Sequence, residues 1–414
     1  MAKLFLLCSL SLCSLLFMRA CYCLAMPYSH IPCQLDNLTT LEPNHHIVSE
    51  GGVIETWNTT HPELHCLGVG AVVKRTINPA SLLLPYYTNY LEFHYIIQGE
   101  GVAGSVVPGC ANRMIIHFRR GDVIASYPGV PFWAYNKGKQ QVVAISVGFI
   151  NSANQLGVIP KRFYLAGNNT EENFNLDHNV FSGLDTGLLE EVLNVNEDIV
   201  KKIQSEDPRG QIVKVQGQFT SISSSHQPIT TQERNKQQSG YHEACTFKFH
   251  ENIIDNSSYT LYNPRAGRLS TVDNFNLPIL QLLKLSARHL VLYKNGIASP
   301  SWDMNGHRVM YVIRGHAKVQ VVNSEGNSVF EGEVTKGQVL VIPQCFVATK
   351  QAGSEGFEAI EFVTNENSMF VSLVGMHSLL RSIPVDVLAN AYRLNPNEVS
   401  ALMFNQTEGP LVNY

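Results

Sequence analysis

The sequence predicts a mainly β protein built as two tandem jelly-roll β-barrels, each followed by a small helical segment. The first observation is a repeat. Tyr95-Ile96-Ile97-Gln98-Gly99 matches Tyr311-Val312-Ile313-Arg314-Gly315 at an offset of 216 residues, and Gly121-Asp122-Val123-Ile124 matches Gly337-Gln338-Val339-Leu340 at the same offset. A period that long marks duplication of a whole module, not a solenoid. The second is the texture of each copy: short β-rich runs such as Ala71 to Val73, His94 to Ile97, Val123 to Ala125 and Val142 to Ser146 alternate with Gly, Pro and Asn. Many short strands with frequent turns read as a sandwich or closed barrel, and closure removes aggregation-prone strand edges. The third is length, since 414 residues suffice for two modules with real cores.

Along the chain, residues 1–25 read as a signal peptide, with Lys3 as the basic start, Leu4 to Leu16 as the apolar run, and Cys23-Leu24-Ala25 before cleavage. Interruptions by Cys, Ser and Arg19 make the run too short for a membrane anchor, and no later segment could span a bilayer. Residues 26–206 are assigned to the N-terminal barrel with its helical extension, 207–243 to a flexible linker, and 244–414 to the C-terminal barrel with its extension. The linker is placed on Ser221 to Ser239, rich in Ser, Gln and Thr and poor in apolar groups. In the second extension Asn395 can cap a helix, Pro396 suits its first position, and Glu398 completes a capping box before Val399, Leu402 and Met403. In the first, Asn196 precedes Glu197 and Asp198, acidic groups that suit the positive end of a helix dipole. Amphipathic stretches Leu188 to Leu193 and Val385 to Tyr392 precede these helices. Their apolar stripes fit either packing on the barrel or contact with another subunit.

With 30 basic and 34 acidic side chains the formal charge is -4, so nothing in the balance attracts nucleic acid or an anionic membrane. Beyond the signal peptide the cysteines are Cys33, Cys66, Cys110, Cys245 and Cys345, with no Cys-x-x-Cys. Four of them can form two disulfides in an oxidising lumen, which leaves one thiol; Cys345, inside an apolar run, is expected to be buried and inert. Asn37, Asn58, Asn168, Asn256 and Asn405 begin Asn-x-Ser/Thr triplets, so each is a candidate glycosylation site.

Enzymes of the cupin type, which share this architecture, hold a transition metal with a His-x-His pair, a Glu and a last His on facing strands. Anchored on Gly99, those places are filled by Pro85, Tyr87, Glu92 and Phe132; anchored on Gly315, by Ser301, Asp303, Arg308 and Ala348. One ligand in four survives in the first barrel, and an Arg, a Ser and an Ala make no cage in the second. His94 and His307 lie nearby and are expected to be hydrogen-bonded structural residues. Glu92 is expected to be a solvated or hydrogen-bonded rim residue without a partner for base chemistry. No Gly-x-Ser-x-Gly, P-loop or dinucleotide fingerprint is present, so catalysis has no visible foothold and no cofactor is implied.

The chain resembles the legumin-type 11S seed storage globulins, a two-barrel branch of the cupins. The segments that carry the resemblance are Cys33-Gln34-Leu35, Leu41-Glu42-Pro43, Glu50-Gly51-Gly52-Val53-Ile54-Glu55-Thr56-Trp57 and Arg162-Phe163-Tyr164-Leu165-Ala166-Gly167 in the first half. The second half adds Gln320-Val321-Val322, Gly356-Phe357-Glu358 and Pro384-Val385-Asp386-Val387-Leu388-Ala389-Asn390-Ala391-Tyr392. The resemblance implies disulfides Cys33–Cys66 and Cys110–Cys245, trimers built through the helical segments, pairing of trimers into hexamers, and passage through the endoplasmic reticulum to protein storage vacuoles. It also implies a reserve role without catalysis, alone or with other 11S subunits.

One departure matters. Members of the family usually carry Asn-Gly before the second-half Cys, where an asparaginyl endopeptidase cuts; here the stretch reads Gln238-Ser239-Gly240-Tyr241-His242-Glu243-Ala244-Cys245. Ser239-Gly240 is thus a degenerate processing site, and an uncut protomer that stops at the trimer is expected. Gln, Asn and Arg are not extreme in the composition, so storage rests on the resemblance. A small-ligand or carbohydrate-binding barrel is the alternative, since a barrel mouth can hold a ligand without a metal; a metal-dependent enzyme ranks below it.

Overall fold

A computed structural model describes residues 35–105, 114–150, 159–167, 179–205, 207–217, 248–255 and 260–413. Residues 1–25, expected to be a signal peptide, Cys33, Cys110, Cys245, Ser239, Gly240, Asn168, Asn256 and the expected linker Ser221 to Ser239 lie outside these residues. Among the described residues, no helix is long and apolar enough to cross a membrane.

The first module is a barrel of two antiparallel sheets. One runs in the order His45–Ser49, Gly52–Thr56, Val69–Ile77, Val142–Phe149, Leu91–Gln98, Asp122–Ser126; the other runs Arg162–Tyr164, Ser81–Thr88, Phe132–Tyr135, Glu100–Ser105, Met114–Arg119. All four short runs singled out in the sequence fall inside strands of the first sheet. The second module joins its strands through two long ones, Arg308–Val322 and Val347–Val363, whose mutual register slips at Val312/Arg314 and Gly315/Ala317. The slip marks a barrel corner, and its first-module counterpart is the break at Gly99 between Leu91–Gln98 and Glu100–Ser105. Gly99 and Gly315 have φ of 87° and 74°. A Cβ there would sit 2.7 Å from the Gln141 carbonyl oxygen and 2.0 Å from that of Gly356. Glycine recurs in the repeat because the corner admits nothing else.

The modules exchange their leading segments. His250–Asn252, from the start of the second half, pairs with Asp122–Ser126 of the first barrel. Leu41, from the start of the chain, bridges to Val339, while the Leu38 amide donates to the Val329 carbonyl at 2.8 Å. Two expected boundaries therefore shift. Residues 248–255 complete the first barrel, and the beginning of the supposed linker is ordered: Ile212–Lys214 pairs with Ser81–Thr88, burying Gln211, Ile212 and Val213. Ile212 and Val213 are apolar residues with a barrel wall to cover, so they fold onto it. Between the barrels Phe93 meets Phe362, Trp57 meets Tyr311, and Tyr95 stacks on His289 with ring centroids 5.7 Å apart. Arg120 of the first barrel reaches Glu358 of the second at 3.2 Å, and Glu358 also lies 3.0 Å from His289 Nε2.

The helical extensions form as their caps predict. Asp185 accepts the Leu188 amide to start Thr186–Leu193, and Asn196 accepts that of Ile199 to start Glu197–Gln204. Asn395 and Glu398 close a full capping box on Pro396–Phe404. Leu388, Val399 and Met403 make a small core of their own with Leu380, Ile383, Ala389 and Leu394 around it. Neither reading of the apolar stripes holds alone, because part of each is buried while Leu188, Val192 and Ile199 in the first extension, and Val385, Val387 and Tyr392 in the second, stay exposed.

Cys345 corrects an expectation. It sits exposed in the turn between strands Val339–Ile342 and Val347–Val363, with φ of 65°. The run around it is apolar because its neighbours belong to two strands, whereas the cysteine marks the reversal between them. Cys66 is disulfide-bonded, with its partner outside the described residues. Asn37, Asn58 and Asn405 are all exposed.

Candidate functional site

The places where a metal cage would lie are the barrel centres. In the first, strand alternation turns Tyr86 inward and leaves Pro85 and Tyr87 half-buried on the other side, where Tyr87 stacks on Phe163 at 4.9 Å. Glu92 corrects the expectation of a rim residue. It is 1 % exposed, and its carboxylate accepts from Arg75 Nη2 at 3.1 Å, Arg162 Nη2 at 3.2 Å and the Tyr86 hydroxyl at 3.0 Å. Burial alone would raise the Glu92 carboxyl, but the Arg75 and Arg162 guanidiniums override it and hold the group well below the usual carboxylate range. Burial pushes the Tyr86 hydroxyl far up, so it remains a donor to that carboxylate.

His94 sits beside this cluster with Nδ1 2.7 Å from Ser146 Oγ, which in turn accepts from Arg75 Nη1 at 2.8 Å. Phe132, at the last-His place, lies flat against the His94 ring at 4.9 Å. Burial first, and then the two arginines, push the imidazole down to about 4, so it is neutral at ordinary pH; the Glu92 charge pulls the other way without prevailing.

The second barrel uses different residues to the same end. Asp303, 1 % exposed, lies 2.6 Å from Arg288 Nη1 and also pairs with Arg308. Glu361 lies 2.9 Å from Lys350 Nζ and 3.7 Å from Arg308 Nη1. Desolvation would raise the Glu361 carboxyl; Lys350, Arg308 and Arg288 bring it down to about 2. Ser301 and Ala348 face each other across a strand pair, and His307 accepts the Gln344 amide on Nδ1 at 3.0 Å. Both tempting histidines are thus structural, as expected.

A transition metal of the kind cupin enzymes hold does not fit these residues. Among the described residues no three His, Cys, Asp or Glu side chains converge on one point. The carboxylates present are already taken up by guanidinium and ammonium groups, whose positive charge would repel a cation. Arg75, Arg288, Lys350 and Glu361 were not singled out from the sequence, and Arg162 figured there only within a family segment. The available signal was isolated charge inside apolar strand runs, as in Val72-Val73-Lys74-Arg75 and Phe357-Glu358-Ala359-Ile360-Glu361-Phe362.

Fold and site together define a two-barrel cupin whose metal cages are replaced by buried ion pairs. The Cupin family matches residues 38–180 and 251–400. Legumin type B of Vicia faba is 38% identical over 98% of this chain and 97% of its own length. Pumpkin seed globulin superposes with a TM-score of 0.83 at 35% identity, over 92% of this chain and 99% of that one. The 11S globulin from Wrightia tinctoria, whose structure reveals an auxin binding site, gives 0.81 at 34% identity over 92% and 96%. The chain belongs to the legumin-type 11S globulin family, and its role is that of a seed storage protein.

Proposed function

We propose that this storage globulin is catalytically inert and is kept as a single uncut polypeptide, assembled as a trimer and delivered through the secretory pathway to the storage vacuole. The observation that carries inertness is that Glu92 and Asp303, the carboxylates that stand at ligand positions, are both locked in buried ion pairs. Ser239 at the place of the usual Asn supports the uncut chain. The exposed apolar residues on both helical extensions, Val192 and Val387 among them, support subunit contact there. Disulfides Cys33–Cys66 and Cys110–Cys245 complete the protomer, with Cys66 already engaged. Protein from the tissue, run on gels with and without reductant and sedimented, tests this reading. One full-length band in both lanes at a trimer's sedimentation rate is expected; two bands on reduction overturn the uncut chain, and a hexamer overturns the assembly.

A second reading, small-ligand binding, is favoured by one observation: the Wrightia tinctoria relative has an auxin binding site. Equilibrium dialysis of purified protein against a labelled auxin tests it, and no retention removes it.

A further inference from the structure

We infer that the C-terminal barrel holds one small monovalent anion, of chloride size, between Arg288 and Arg308. The excess of positive charge is the first ground. Three cations, Arg288, Arg308 and Lys350, face two carboxylates, Asp303 and Glu361, and none of the five is more than 3 % exposed. An uncompensated buried charge is costly unless a counter-charge reaches it.

The geometry shows where that counter-charge sits. Arg308 Nε, Asp303 Oδ1 and Glu361 Oε1 lack well-aligned hydrogen bonds but each stands in an ion pair, whereas the buried Arg288 Nη2 and Arg308 Nη2 have neither a hydrogen bond nor an ion pair among the described residues. Both side chains line a cavity of about 30 Å³, with Lys350, Glu361, Ser299 and Ser301. That space admits a species the size of one or two waters, which is also the size of a halide and too small for an aromatic acid. Phe370, whose ring lies 5.0 Å from the Arg288 guanidinium carbon, lines the cavity together with Pro410 and Leu411.

Two other ways of balancing the cluster fit less well. Burial pulls the Lys350 ammonium below its ordinary value, and loss of its proton would equalise the charges. It would leave both guanidinium Nη2 donors without an acceptor, however, and would weaken the hold on Glu361, which would keep an N–H donor but lose the opposing charge. A water could accept from one or both guanidiniums, but it brings no negative charge. A monovalent anion satisfies both donors and the charge in one step. The N-terminal barrel carries the same excess of one cation, Arg75 and Arg162 against Glu92, but there the one carboxylate meets both arginines and Tyr86 directly.

Crystals of the full chain soaked in sodium bromide test the inference by anomalous scattering. A bromide peak in contact with both Nη2 atoms is expected, and it should vanish in Arg288→Met. Thermal unfolding of the same protein, with chloride replacing gluconate at constant ionic strength and pH, should show a saturable rise in Tm that the variant lacks. A cavity holding only water in the wild-type crystal overturns the proposal. So does a peak accompanied by a Tm indifferent to the anion, which marks an adventitious ion only. If Arg288→Met does not fold, the wild-type peak and the anion dependence of Tm decide between them.

Discussion

Glu92→Gln keeps the shape of a buried side chain and removes its charge. The wild-type carboxylate serves two guanidiniums, at 3.1 Å and 3.2 Å, and the Tyr86 hydroxyl at 3.0 Å. A glutamine amide offers a single acceptor oxygen and turns its NH2 toward the remaining donors, so at least one guanidinium is left unpaired in a site 1 % exposed. An exposed ion pair would cost at most about 1 kcal/mol to break. Breaking a buried one from one side costs roughly 3–5 kcal/mol, and that is the expected loss. Urea denaturation of wild type, Glu92→Gln and the triple variant Arg75→Met, Glu92→Leu, Arg162→Met reads it as a shift in midpoint at unchanged slope. The triple variant should recover most of the loss, because apolar groups of similar volume carry no desolvation penalty. A Glu92→Gln protein within about 1 kcal/mol of wild type refutes the reasoning, since it would mean that water screens the barrel centre.

Acid should weaken the protein in two stages. A folded-state value below the unfolded one means that protonation favours unfolding: His94, at about 4 in the fold, contributes stability above pH ~6.5 that is lost as pH falls toward 4. By the same sign Glu361, at about 2, contributes above pH ~4.5 and loses its contribution toward pH 2. The His94 stage amounts to roughly 3 kcal/mol at most; denaturation midpoints that are flat between pH 7 and 5 contradict it. Cys345, exposed in its turn, should react with a thiol reagent in the folded protein, and Cys345→Ser should abolish that labelling. Val387→Glu, on an exposed apolar helix face, should lower the sedimentation coefficient while the far-ultraviolet circular dichroism of the folded chain stays that of the wild type. Unchanged sedimentation would remove that face from the subunit contact.

What the sequence made legible was mostly local or repeated. The duplicated Gly99 and Gly315 announce barrel corners because the backbone there has positive φ and no room for a Cβ. Asn395 and Glu398 announce a capping box because both groups act within one turn. The departure from the cupin ligand pattern was readable at Phe132, Arg308 and Ala348, residue types that do not ligate a transition metal. What replaced it was not readable. Arg162 reaches Glu92 from a strand far along the chain, and Lys350 finds Glu361 only because Val347–Val363 bends back through the barrel. A charge inside an apolar strand run hints at burial, but nothing local names its partner. The exchange of Leu38 to Leu41 and His250–Asn252 between barrels was hidden for the same reason: each segment pairs with the module it does not adjoin in sequence. Cys345 was misplaced because an apolar run two strands long conceals the turn in its middle.

Metal content tests the account most directly. Protein purified without chelators, before and after dialysis against iron, manganese and zinc, is assayed by plasma mass spectrometry beside Glu92→Gln and Asp303→Asn. Ion pairs in both barrel centres predict metal far below one atom per chain in all three proteins, with no uptake on dialysis. Stoichiometric metal in the wild type that either substitution removes would contradict the account at its centre.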